Sequence, residues 1–199
     1  MVSDMPTIDA TQLESTATRI FEKLGAPTGD AAWIAHLLVL ANLRGHDSHG
    51  VIRIPQYAQA VKTGGIDPKS PVTVINETPV TARLDGGRGF GQVVARRGIE
   101  LCITKAKDSG LAAVALSRTT HVGRLADYAE MAAAEGQVGY VRGVKQAGPA
   151  VGAAARAEHA AAHVGVQAGR LDAQPLRCLC GADPLRHVGP LSHVDFNQR

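Results

Sequence analysis

Between Gln92 and Val141 the hydrophobic pattern alternates helix, strand, helix, strand, and this alternation limits the chain to a small set of α/β arrangements. Residues 92–107 place Val93, Ile99, Ile103 and Ala106 at helical spacing, and Gly110 follows as a stop. Leu111 to Leu116 is a continuous apolar run bounded by Gly110 and Ser117, which predicts a strand buried on both faces. A helix over 124–135 and a strand over 138–141 complete a β-α-β unit.

Upstream the elements are helical first. Asp9 can cap a helix over 10–24 that puts Leu13, Ala17, Ile20 and Leu24 on one face and ends at Gly25. Thr28 or Asp30 opens a second helix to about Leu43, apolar on most sides and so expected to be buried, with Gly45 ending it. A third helix is predicted over 50–62, with Pro55 either bending it or shifting its start. Residues 72–75 and 81–84 flank the turn residues 76–79 and are expected to form a hairpin.

After Arg142 the patterning fades. From Gly143 to Arg199 there is no Ile, Lys145 is the only Lys, and four of the eight histidines crowd into the stretch. The expected organisation is therefore residues 1–75 as a helical part with a polar turn, 76–142 as the start of an α/β domain, and 143–199 as an atypical tail.

Charge and composition remove several function classes. A net charge of +3 with both signs interspersed shows no basic stripe for nucleic acid. The apolar stretch Ala31 to Leu43 is interrupted by His36 and Asn42 and falls short of the roughly 20 residues that cross a bilayer. Asp4 and Asp9 stand where a signal peptide would be basic and then apolar, and three cysteines make no disulfide framework, so a cytoplasmic protein is expected.

The densest set of reactive side chains is Leu43 to Tyr57, LRGHDSHGVIRIPQY. Arg53 offers a planar fork for a carboxylate, and His49 can give or take a proton near neutrality. Were the helix to start at Gly50, the two would share one side of its first turn. His46 and His49 form an H-x-x-H pair, but a zinc site needs three or four ligands, and no metal is expected. A second candidate is SRTTHVG, residues 117–123, which places His121 after the predicted buried strand, where ligands of open α/β sheets sit. The string DGGRGFGQ, residues 85–92, fails the G-x-G-x-x-G dinucleotide pattern and is expected to be a turn leading into a helix.

LRGHDSHGVIRIPQY, the following KTGGIDP, the stretch ETPVTARLDGGRGFGQVVA and GLAAVALSRTTHVGRLADYAEMAAAEGQVGY together resemble the malate/L-lactate dehydrogenase family over residues 8–141. That family also includes ureidoglycolate, sulfolactate and diketogulonate-type enzymes and cyclic imino acid reductases. The resemblance implies a non-Rossmann α/β fold: N-terminal helices, then the start of a mixed-sheet nicotinamide-binding domain whose C-terminal part is missing here. It implies a homodimer using NAD or NADP to move a hydride to or from C2 of a small 2-hydroxy or 2-oxo acid. By the same resemblance His49 is an active-site acid/base, Arg53 binds the substrate carboxylate, and His121 is a second active-site histidine near substrate and nicotinamide. Ser48 and Arg44 are then supporting residues, and Thr120, His121 and Gly123 lie on the cofactor side.

Family members run well over 300 residues and carry V-x-P-x-G-G, T-N-P or P-N-P, and D-M-S-T-S strings that do not follow Val141 here. Read one nucleotide later, codons for residues 193–199 permit Met-Ser-Thr-Ser-Thr-Asn, and those for 171–175 permit Ser-Thr-Pro-Asn-Pro. The expectation is a frame slip between Val141 and Pro149, with the remainder out of frame and the truncated chain either a minimal oxidoreductase or inactive. The alternative is a non-catalytic fragment that keeps only subunit pairing.

Overall fold

The computed structural model describes residues 7–144, 161–167 and 193–195. A short strand β1 (Thr7–Asp9) leads into α1 (Ala10–Lys23), whose Asp9 side chain accepts the Gln12 N–H at 3.0 Å as the cap predicted. α2 (Thr28–Leu43) packs along α1 and buries residues around most of its circumference, from Ala31 to Ala41. Two single 3₁₀ turns, Asp47–His49 and Val51–Arg53, then precede α3 (Ile54–Lys62). Pro55 thus shifts the helix start to Ile54, where its missing N–H costs nothing. His49 and Arg53 accordingly sit on successive 3₁₀ turns and not on the first turn of one helix.

The remaining elements form the sheet and its cover. β2 (Thr73–Glu77) and β3 (Thr81–Asp85) make the expected antiparallel hairpin, with a bulge between Val74 and Asn76. After the glycine turn come α4 (Gly91–Ser109), β4 (Leu111–Ser117), α5 (Ala126–Ala134) and β5 (Val138–Val144). α4 ends at Gly110, whose φ of 78° lies in the left-handed region open to glycine. Strands β6 (Ala161–Gln167) and β7 (His193–Asp195) follow, and β7 pairs with β1.

The five-stranded sheet has the order β2-β3-β4-β6-β5. β3 and β4 are parallel, and β6 is antiparallel to both β4 and β5. The β4-α5-β5 unit is therefore split: its two strands are not neighbours, because β6 satisfies the backbone edges of both. Strands β6 and β7 both lie in the stretch after Arg142 expected as an atypical tail.

The expectation that Leu111–Leu116 is buried on both faces is also corrected. Ala112, Val114 and Leu116 are buried under α4 and α5, whereas Leu111 is 58% exposed and Ala113 is exposed. The helices cover one face of the sheet, and among the described residues the opposite face, with Val138 and Tyr140, stays open.

Two cores result. One lies between the sheet and α4 and α5, built on Leu84, Val94, Ile99, Leu116 and Tyr128. The other joins α1, α2 and α3 around Phe21, Ile34, Leu38, Tyr57 and Phe90. α2 serves both, Leu37 in the first and Leu38 in the second, so the helical layer is held rigidly against the sheet. No helix among the described residues is long and apolar enough to cross a membrane.

Candidate active site

Two loops meet where the cores adjoin. The first is the pair of 3₁₀ turns after α2, which carries Ser48, His49 and Arg53. Its shape depends on Asn42, whose side chain donates to Asp47 and accepts the Val51 N–H at 2.9 Å. The second loop runs from Ser117 to α5 and carries His121. It is fixed by Thr120, whose hydroxyl donates to Gly89 O at 3.0 Å and accepts the Gly91 N–H at 2.9 Å.

The loops bring His49 and His121 together, with ring centroids 5.3 Å apart and an interplanar angle of 32°. Ser48 Oγ lies 3.0 Å from His49 Nδ1. Arg53 is anchored by Nε to Ser48 O at 2.6 Å and by Nη1 to Gln56 Oε1 at 2.7 Å, leaving further N–H groups of its five for a ligand. Its charge acts on both histidines.

The remaining sequence-predicted residues are placed otherwise. Arg44 makes a two-pronged pair with Glu130 of α5, at 2.9 and 3.1 Å, and its charge acts on Asp127. Gly123, with φ 81°, turns the chain against Gln92, and Thr120 spends its hydroxyl on the loop. Two residues not singled out from sequence lie beside the site: Tyr57 Oη is 2.7 Å from His121 Nδ1 and accepts from Gln92 Nε2 at 2.8 Å. Tyr57 ends the string LRGHDSHGVIRIPQY, four residues after Arg53, and that spacing was the signal the sequence carried.

Burial and the nearby Arg53 charge favour the neutral form of both rings. Burial, reinforced by Arg53 and His46, lowers His49 below 6.5, while Asp127 opposes the shift. Burial with Arg53 and His49 lowers His121 to about 4. Tyr57 is pushed up to about 12 by burial. Asp127 is buried against Arg124 and its carboxyl is raised by desolvation, which the Arg124 charge only partly offsets.

The His121 shift carries a stability consequence. A histidine whose folded pKa lies below its unfolded value binds more protons when unfolded, so its stabilisation is complete above about pH 6.5 and is lost as pH falls toward 4. Allowing for solvent screening of a half-buried ring, the loss is about 1–2 kcal/mol. Urea titrations at several pH values should show that much extra pH dependence in the parent relative to His121→Gln. Parallel curves for the two proteins would contradict it.

Two histidines and an arginine thus converge beside a glycine turn on a mixed α/β fold. The chain belongs to the malate/L-lactate dehydrogenase family, whose model matches residues 8–161. It is 42% identical to malate dehydrogenase of Pyrococcus abyssi over 128 residues, 64% of this chain and 35% of that protein. It is 41% identical to L-sulfolactate dehydrogenase of Methanocaldococcus jannaschii over 60% of this chain and 35% of that protein. Among solved structures, malate dehydrogenase from Pyrococcus horikoshii OT3 superposes with a TM-score of 0.68 at 40% identity, over 70% of this chain and 40% of that one. The chain thus spans about a third of the length of the curated relatives it matches.

Proposed function

We propose that this chain carries the substrate-side half of a site for hydride transfer between NAD or NADP and C2 of a small 2-hydroxy or 2-oxo acid of the malate or lactate type. The observation that carries it is the approach of His49 and His121 beside Arg53. Arg53 binds the acid's carboxylate through its unspent N–H groups and orients C2. His49, turned by Ser48, passes a proton to the C2 oxygen during reduction and takes it back during oxidation. The relatives' names support the substrate class: malate, L-sulfolactate and ureidoglycolate are all the substrates of dehydrogenases similar to this chain.

The cofactor, when bound, supplies or accepts the hydride. His121 suits its nicotinamide end, being neutral, half-buried and adjacent to His49. Thr120 and Gly123 serve the cofactor side by holding the loop that presents His121, and Arg44 supports the site by tying the end of α2 to α5. Pairing with a second copy belongs to the same proposal.

The test is titration of the purified chain with NADH and NADPH, followed by turnover with pyruvate and oxaloacetate. Binding with turnover is expected, and His49→Ala should lose turnover while keeping cofactor affinity. Near-parental turnover in that variant removes His49 from the role. A folded, dimeric chain that neither binds nor turns over supports a pairing fragment instead.

A further inference from the structure

Behind the two histidines lies a short polar chain that the proposed reaction does not use. Gln92, near the start of α4, is 1% exposed and donates from Nε2 to Tyr57 Oη at 2.8 Å. Tyr57, itself buried, has its Oη 2.7 Å from His121 Nδ1. A phenol has a single proton. The Tyr57 oxygen accepts from Gln92; were Nδ1 to carry the imidazole proton, that oxygen would accept twice and the buried phenol proton would have no partner among the described residues, so the arrangement that satisfies each group sends the phenol proton to Nδ1 and leaves the imidazole proton on Nε2.

The direction of the Gln92 amide follows from the same accounting. Its Oε1 is buried without a hydrogen-bond partner among the described residues. Reversing the amide would bury its NH₂ group there and leave both donors unpaired, where the present direction leaves one donor and one acceptor, and orphaned N–H groups are the rarer and costlier state. Gln92 is also held from the backbone side, where its carbonyl accepts Trp33 Nε1–H at 3.1 Å.

We infer that Gln92, acting through Tyr57, holds His121 as the Nε2–H tautomer and so makes it a hydrogen-bond donor to the substrate oxygen beside His49. Gln92 and Tyr57 are positioning residues. His121 is then a neutral donor that polarises the carbonyl, and His49 is the group that exchanges the proton. The substrate clause rests on the proposed oxidoreductase function, whereas the tautomer does not.

The experiment is long-range ¹H–¹⁵N correlation on the full chain labelled with ¹⁵N-histidine, without substrate or cofactor, at neutral pH. The His121 signals are assigned by their loss in His121→Gln. The parent should show Nε2 protonated and Nδ1 bare. In Tyr57→Phe and in Gln92→Leu the bias should weaken by about tenfold, about 1.4 kcal/mol, so that the two nitrogen shifts move toward each other. A protonated Nδ1 in the parent overturns the inference, as do unmoved shifts in both variants. Where one variant fails to fold, the other variant decides, and the parent spectrum decides if neither folds. Nε2–H without cofactor binding or turnover refutes the proposed function and leaves the relay standing; Nδ1–H with turnover does the reverse.

Discussion

Phe21→Ala should lower the unfolding free energy by about 3–5 kcal/mol, enough to take up much of a small domain's stability. Phe21 is fully buried on α1. Its ring meets Phe90 edge-on at 5.6 Å between centroids and Tyr57 at 6.3 Å, so it packs against the residue leading into α4 and against the phenol behind His121. Removing it opens a cavity beneath three elements at once, and a rigid core relaxes only partly into such a space. Chemical denaturation followed by far-UV circular dichroism measures the loss. A change below about 1 kcal/mol would mean that the helical layer repacks and does not set the position of α3.

Gly91→Ala should be costly for a different reason. The added methyl would fall 2.5 Å from Thr120 O and closer still to His121 O, both backbone atoms that cannot swing aside. The start of α4 and the His121 loop would have to separate, breaking the 2.9 Å bond from Gly91 N–H to Thr120 Oγ1. The expected loss is about 3 kcal/mol, at the upper end of overpacking effects. It should come with displacement of His121 from His49, seen as changed imidazole signals in the histidine spectrum. Gly98→Ala is the control on the same helix: its methyl would meet the end of the Leu116 side chain, which can shift, and the histidine signals should stay in place.

Several features were legible in the residues because they depend on neighbours in the chain. The Asp9 cap, the stop at Gly110, the shift of α3 by Pro55 and the hairpin of β2 and β3 follow from backbone chemistry within a few residues. The failure of residues 85–92 as a dinucleotide fingerprint was equally local, and at Gly86, Gly87 and Gly91 an added Cβ would fall within 3 Å of neighbouring atoms. His49, Arg53 and His121 could be nominated because imidazole and guanidinium chemistry is carried by residue type.

Other features depend on chain segments far apart in sequence. That Leu111 and Ala113 face outward is decided by which face α4 and α5 cover, since a strand's apolar run does not say how many layers lie over it. The insertion of β6 between β4 and β5 joins residues more than fifteen positions apart, and no spacing within β4-α5-β5 announces it. Arg44 pairs with Glu130, 86 residues away, a contact that no local pattern in the sequence announces. Gln92 and Tyr57 look like an ordinary helix amide and a core phenol until the fold sets them 2.8 Å apart across 35 residues. The sequence by itself determined the family, the helices and the chemical types at the site. Only the tertiary structure decided which of those groups meet and which way the proton on His121 points, because hydrogen bonds between distant segments exist only once both cores have closed.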